Sequence, residues 1–380
     1  MNAPEDLLRV SKIQEAIKPS DGLYHLPNHF TEVALSQNGG ATLRDDSGQI
    51  VAECFPIFKN GRKGIVIRTE VTGTNLVYQV RNLFPWAEFV QIFSPAASFK
   101  STNAEQLEVV KIIDGFMVAH PNRVSAQQTA ELQRLIWGTT SVYPTDLYDQ
   151  ESPAATKLVA IKQDQVIGFL LGFWGIKDTK LWLESQILGV HPNYRKRGVA
   201  RILKEQQRLE ALEQGIEVIH WTVDPLQCPN AYLNFNSLGA VATAFDPDHY
   251  GFTNQLNLVS ASRFKMTYLT SPEVLNKLNG IFGEEDPEPT YVLAPDWQVI
   301  DAEPQADLYL EVPADWSELQ RTSLDEAMIV RKKTDQLFVR LIGCAEKKYV
   351  IGRIKEVAGH FFLVAKEYSK LKDKLGENLE

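Results

Sequence analysis

Short apolar runs and alternating apolar and polar positions mark out the middle third of the chain. Residues 157–162 and 165–174 read as two strands folded around a Gln163-Asp164 turn. Further strands are predicted at 184–190 and 216–223. Between them Ile202, Leu203, Gln206, Leu209 and Leu212 recur on one face of a helix that ends at Gly215, a residue suited to a C-cap. Ahead of these strands Ser125 fits the N-cap of a helix over 126–137, with Leu132, Leu135 and Ile136 on one side. A short helix over 230–238 closes at Gly239. Strand, helix, strand in that order implies a right-handed parallel crossover.

The flanks carry their own patterns. An amphipathic start (Leu7, Leu8, Val10, Ile13, Ile17) stops at Pro19, and strand-like runs at 50–58 and 64–72 flank an Asn60-Gly61 hairpin signal. An aromatic-rich run follows at 84–93, and 104–120 reads as helix or strand. After residue 255, strands at 307–312, 336–342, 348–354 and 360–365 flank a helix at about 316–330. An acidic, proline-punctuated linker precedes them at 283–289, and a lysine-rich tail from Lys366 reads as a solvated end. Three units are predicted: 1–120, 121–255 and 256–380. Residues 39–58 echo the strand-turn-strand of 156–176, which leaves open whether the first unit is a decayed copy of the second.

Composition narrows the class. At 380 residues, 44% hydrophobic and 23% charged, the chain has the balance of a soluble globular protein with more than one core. A net charge of -9 argues against nucleic acid or an anionic membrane as a general partner. The acidic, polar start and the lack of a long apolar window predict neither a signal peptide nor a membrane span. Cys54, Cys228 and Cys344 lie far apart, which predicts reduced thiols in a cytoplasmic protein, with no disulfide framework and no metal site.

Against that acidic background one basic cluster stands out. The strand at 184–190 runs through His191-Pro192 into Tyr194-Arg195-Lys196-Arg197-Gly198-Val199-Ala200, and a helix opens from that loop. Cations at a helix N-terminus oppose the helix dipole, so a bare structural reason for them is poor. Free N–H groups, cations and a glycine that admits close backbone approach make an anion site, most naturally for a phosphate or pyrophosphate. The spacing V-x-P-x-x-R-x-x-G-x-A, with Arg195, Gly198 and Ala200 in register, resembles the acyl-CoA loop of the GNAT N-acetyltransferase superfamily. The segment Trp221-Thr-Val-Asp-Pro-Leu, with Asn230-Ala231 and the later Tyr250-Gly251, is similar to a subgroup of predicted acetyltransferases with a C-terminal extension.

That resemblance implies an α/β (α+β) fold: a GNAT-like mixed sheet with a central strand-loop-helix-strand acyl-CoA site, flanked by N- and C-terminal α+β domains. It implies an acyl-CoA-dependent N-acyltransferase that passes acetyl from acetyl-CoA to an amine by direct attack in a ternary complex. The backbone of Arg197, Gly198, Val199 and Ala200 wraps the pyrophosphate, with Arg195 and Lys196 adding charge. The strand through Leu188, Gly189 and Val190 meets the pantetheine amides and polarises the carbonyl, and Asn230 either bonds the pantetheine or caps its helix. Glu184, among Trp182, Ile187 and Leu188, is the candidate general base, its pKa expected to be raised by those neighbours. Ser185 and Gln186 read as hydrogen-bonding groups rather than chemistry, and Cys228 lacks a neighbouring histidine to make it a nucleophile.

The chain departs from the superfamily at the general acid. Phe235 stands where a tyrosine is usual, leaving Tyr232, Tyr250 and His249 as candidates to reprotonate the thiolate. Asp224-Pro225 most simply ends its strand, with an exposed carboxylate that can meet a cationic acceptor, and Trp137, Trp174 and Trp221 read as core. The expected partner is a small or cationic amine, with no nucleic acid or membrane. The flanking domains shape the acceptor pocket or a homodimer contact. The alternative from a different class is a CoA-binding sensor or scaffold without catalysis.

Overall fold

The computed structural model describes residues 41–44, 49–59, 62–69, 84, 87, 89–93, 108–113, 115–138, 143–148, 156–177, 180–250, 258–297 and 307–375. They fall into two compact units, Met1–Glu210 and Ala211–Glu380. The predicted amphipathic start at 7–17 lies outside the described residues.

The first unit holds two sheets of strands. In one, β1 (Ala41–Arg44), β2 (Ile50–Lys59), β3 (Arg62–Thr69) and β4 (Phe89–Phe93) lie side by side in that order. β2 and β3 are antiparallel with Lys59 facing Arg62, the register that a two-residue Asn-Gly connection dictates. β4 runs parallel to β3. Leu43, Ala52, Cys54, Ile65, Ile67 and Phe84 form a small apolar core on this sheet.

In the other, β5 (Glu108–Ile113), β6 (Phe116–His120), β7 (Thr156–Lys162), β8 (Gln165–Lys177) and β9 (Lys180–Val190) pair antiparallel in the spatial order β9-β8-β7-β6-β5. The stretch at 104–120 therefore resolves as strands. Gln163 and Asp164 both have positive φ, 49° and 61°, as the predicted tight turn between β7 and β8 requires. Helix α1 (Arg123–Trp137) starts at Asn122, not at Ser125. Asn122 Oδ1 accepts from the Ser125 N–H at 2.9 Å while Ser125 Oγ accepts from the Asn122 N–H at 2.8 Å, a reciprocal capping box. Ser125 thus sits inside the first turn, and Leu135, expected on the apolar side, is exposed.

Helix α2 (Val199–Glu213) lays Val199 and Leu203 on Val118, Leu158, Ala160, Ile167 and Leu170. Its buried stripe is Val199, Leu203, Lys204, Gln207 and Ala211, with Leu209 and Leu212 facing solvent. The face is rotated from the predicted one because two polar side chains occupy positions on the sheet.

The second unit is a sheet in the order β13-β14-β16-β15-β11-β12-β10. Its strands are β10 (Val218–Val223), β11 (Val241–Tyr250), β12 (Ala261–Leu269), β13 (Thr290–Val292), β14 (Leu308–Val312), β15 (Tyr349–Val357) and β16 (His360–Glu367). A short helix α3 (Cys228–Ala231) continues as a π-helical stretch (Tyr232–Ser237). Helix α4 (Pro272–Gly283) packs Leu278, Ile281 and Phe282 on Val241, Leu269 and Val350. Helices α5 (Trp316–Thr322) and α6 (Leu324–Leu341) follow β14.

Sequence expectations about the C-terminal elements fail in this unit. Residues 336–341 are the end of α6 rather than a strand, because Val330, Leu337, Phe338 and Leu341 bury at helical spacing. The lysine-rich tail is not a solvated end: α7 (Tyr368–Leu375) buries Tyr368 and Leu371 in the α4 core, and the Lys366 ammonium is paired with the buried carboxylate of Asp307. The acidic linker is likewise tied down. Asp286 accepts from the N–H groups of Asp307 (2.8 Å) and Glu288 (3.0 Å), and these bonds, the Asp307 one foremost, hold its carboxyl below the ordinary range.

Candidate functional site

The predicted anion loop forms a tight turn. Arg195 N–H donates to Pro192 O at 3.3 Å and Arg195 Nε to Val190 O at 3.4 Å, which folds the chain back at the end of β9. Lys196 and Gly198 both adopt left-handed backbone, φ 60° and 81°. At Gly198 that geometry favours a residue without Cβ. α2 starts on the next residue, and Ile202 N–H closes its first bond on Gly198 O at 3.0 Å. The N–H groups of Val199, Ala200 and Arg201 therefore belong to the helix's first turn, where no intrahelical acceptor exists.

Around them Arg195, Lys196 and Arg197 are exposed, while Val199 is buried and anchors the turn. The Arg197 guanidinium lies 5.5 Å and the Lys162 ammonium 5.6 Å from the centre of the Tyr194 ring, so one aromatic gathers two cations. Positive side chains and unclaimed N–H groups converge on one loop, an arrangement that fits a polyanion.

β9 leads into that loop and carries the candidate base. Leu171 faces Ile187 and Phe173 faces Glu184, so Ser185 and Gln186 together stand opposite Gly172: a β-bulge at the predicted chemistry. Glu184 is half-buried at the edge of this irregularity. Gln186 Nε2 donates to Tyr143 Oη at 3.1 Å, and Tyr143 is held in turn by Gln133, whose Oε1 accepts its N–H at 2.8 Å. Ser185 Oγ accepts from Lys204 Nζ at 2.7 Å. Both residues act as hydrogen-bonding groups, as their sequence context suggests. Leu188, Gly189 and Val190 continue β9 opposite Leu170, Phe169 and Gly168.

Lys204 and Gln207 are the residues the sequence reading missed. Burial pulls the Lys204 amine down to about 7, and the nearby Glu184 charge acts in the opposite direction. The signal lay in the four-residue spacing of Val199, Leu203, Gln207 and Ala211, which places Lys204 on the sheet side of α2.

The remaining candidates lie in the second unit. Asn230 is exposed within α3, whose N-cap is Gln227, so it does not cap the helix. Tyr232 begins the π-helical stretch, its ring 6.5 Å from Phe361, and burial first, then Glu356, raises its phenol above the ordinary value. Phe235 is buried. Tyr250 ends β11 opposite Ala261, and His249 Nδ1 lies 2.7 Å from Asp246 Oδ2.

Asp224 is not the exposed carboxylate expected. It is nearly enclosed, accepting from Leu226 N–H (2.9 Å) and Arg331 Nη2 (2.7 Å), with Arg263 Nη1 at 3.6 Å. Burial pushes the Cys228 thiol up to about 11, which leaves it an inert thiol. Among the described residues no group of three or more His, Cys, Asp or Glu is placed to hold a metal ion, and no helix is long and apolar enough to cross a membrane.

Residues 126–232 match the model of the acetyltransferase (GNAT) family. No curated protein matches the chain. Among solved structures it is similar to Ard1 from Thermoplasma volcanium, at 18% identity over 41% of this chain and 97% of that one, with a TM-score of 0.33. Naa20 from Chaetomium thermophilum, solved with a bisubstrate analogue, matches at 18% identity over 40% and 85%, with a TM-score of 0.35. The diaminobutyrate acetyltransferase EctA from Paenibacillus lautus, solved with its substrate and coenzyme A, matches at 16% over 41% and 96%, with a TM-score of 0.34.

Proposed function

We propose, from the match of residues 126–232 to the acetyltransferase (GNAT) family model, that the chain transfers acetyl from acetyl-CoA to the amine of a small or cationic acceptor. The observation that carries this reading is the left-handed Gly198 at the start of α2, ringed by the exposed Arg195, Lys196 and Arg197. Acetyl-CoA supplies an activated acyl group, a thiol that leaves, and a pyrophosphate of matching charge.

In this reading the N–H groups of Gly198, Val199 and Ala200 bind the pyrophosphate, and Arg195, Lys196 and Arg197 neutralise it. The Leu188–Gly189–Val190 end of β9 aligns the pantetheine, and an N–H at Leu188 or Gly189 polarises the thioester carbonyl. Glu184, at the bulge, takes the acceptor's proton through water, so that the amine attacks directly. Tyr232, or Tyr250, returns a proton to the thiolate. The elevated phenol of Tyr232 keeps it in the protonated form that task needs. Asn230 is free to bond the pantetheine since it caps nothing. The wide spacing of Cys54, Cys228 and Cys344 along the chain suits a reducing cytoplasmic compartment.

The test is turnover. Purified protein is incubated with acetyl-CoA and a panel of polyamines, diamines, amino acids and peptides, reading free thiol and acceptor mass. An acceptor heavier by one acetyl group supports the function. Thiol release without an acetylated acceptor, or none at all, contradicts it.

A further inference from the structure

A lysine lies buried on the sheet side of α2. Lys204 is 3% exposed, and its Nζ donates to Ser185 Oγ, itself 5% exposed, at 2.7 Å. Burying an ammonium costs several kcal/mol unless something repays it, and a leucine or methionine would pack the same stripe without that cost. One turn further on, Gln207 is fully buried, and neither Nε2 nor Oε1 of its carboxamide has a hydrogen-bond partner. Both side chains reach the bulge, Lys204 through Ser185 and Gln207 through its Nε2, which lies 2.8 Å from where a Cβ on Gly172 would stand, beside the backbone carbonyl of Glu184 at 3.0 Å. The polar cluster is thus built around the bulge that β9 makes against β8.

The elements around Lys204 differ in the charge they carry. Across from it, 170–173 on β8 carry no titratable side chain, and the β7 residues beneath α2, Leu158 and Ala160, are apolar. On its own helix Arg201 is exposed and lies 3.6 Å from Glu205, and Arg208 stands one turn on. On β9 the charge that acts on it is Glu184.

We infer that Lys204 is a positioning residue for acyl transfer: seated under the bulge on Ser185, it couples to Glu184 and sets the charge that carboxylate carries. This rests on the reading of Glu184 as the base. Coupling between two ionisable groups is reciprocal, so each moves the other's titration. The hydrogen bond to Ser185 fixes the distance at which that coupling acts, and a methionine in place of Lys204 keeps the packing while removing it.

The test has two arms. In the first, Lys204 is titrated by NMR on protein carrying 13C-labelled lysine, its signal assigned through Lys204→Arg, in the wild type and in Glu184→Gln. The midpoint is expected to fall in Glu184→Gln, because the variant removes the charge that favours the ammonium. An unmoved midpoint overturns the inference. In the second arm, Lys204→Met is expected to displace the acid limb of kcat towards higher pH while KM for acetyl-CoA holds, with partial return in Lys204→Arg. A uniform loss of kcat across pH marks a merely structural lysine and also overturns it. If the wild type acetylates nothing, the proposed function fails, while the first arm still decides the coupling.

Discussion

Asn236 closes two hydrogen bonds on the backbone of Ile354, its Nδ2 donating to Ile354 O at 2.9 Å and its Oδ1 accepting from Ile354 N–H at 3.0 Å. The carboxamide therefore pairs with β15 as a neighbouring strand would. Three more contacts bind the same stretch to the C-terminal region: Asp224 to Arg331, Gln227 Nε2 to Ser317 Oγ at 3.2 Å, and Cys228 Sγ to Pro313 O at 3.1 Å. The extension thus sets the shape of the turn and π-helix that carry Asn230, Tyr232 and Phe235. Asn236→Ala leaves both Ile354 groups unpaired and is expected to lower stability by about 1–3 kcal/mol. Urea unfolding measures it, and an unchanged midpoint would show the bonds to be dispensable.

Gly198 is held at φ 81° with nothing nearer its absent Cβ than Ile202 Cδ1 at 3.9 Å. Gly198→Ala therefore meets no clash, only the backbone cost of a left-handed L-residue, about 1–2 kcal/mol. A modest drop in Tm and a measurable loss of acetyl-CoA affinity are expected. A variant as stable as the wild type would mean that the turn relaxes to ordinary φ.

Glu184→Gln keeps the size and polarity of the side chain and removes its basicity. Transfer is expected to fall by about 10²–10⁴-fold, the usual worth of a positioned base, with acetyl-CoA binding retained. Steady-state rates beside calorimetry separate the two. Full activity in this variant would remove Glu184 from the mechanism.

Lys204 gives stability a direction with pH. Its folded value of about 7 lies below the unfolded value near 10.5, so between them the unfolded chain binds more protons. Stability should therefore rise with pH across that window, with a slope of at most about 1.4 kcal/mol per unit from this group. Below about 7 both states are protonated, so the pH dependence from this group vanishes while the cost of burying its charge is fully present. Urea midpoints at pH 7 and 9 for the wild type and Lys204→Met test it: the rise should be smaller in the variant. Equal rises would mean that Lys204 is not the source.

The sequence was legible where punctuation is chemical. Asn60-Gly61 and Gln163-Asp164 mark their hairpins, Gly215 and Gly239 end their helices with φ 70° and 72°, and Gly198 marks the start of α2. It misled where apolarity alone was used to orient an element. On α2 the buried stripe contains Lys204 and Gln207, so counting leucines turned the helix towards Leu209 and Leu212. At 336–342 the run Leu337-Phe338-Val339 suits a strand as well as a helix, and only packing of Phe338 against Phe264 and Phe245, ring centres 5.0 and 5.4 Å away, decides. In the tail, three lysines in 366–372 masked the Tyr368–Leu371 pair that docks α7. The candidate site divides the same way: the loop was readable from spacing, whereas the enclosure of Asp224 by Arg263 and Arg331 depends on partners far along the chain.

The most direct measurement is a calorimetric titration of the protein with acetyl-CoA and with CoA, beside the Arg195→Ala/Gly198→Glu variant. Saturable binding in the wild type, lost in a variant that remains folded, is the expected result. No binding in the wild type, or equal binding in both, would contradict an acyl-CoA site at the start of α2.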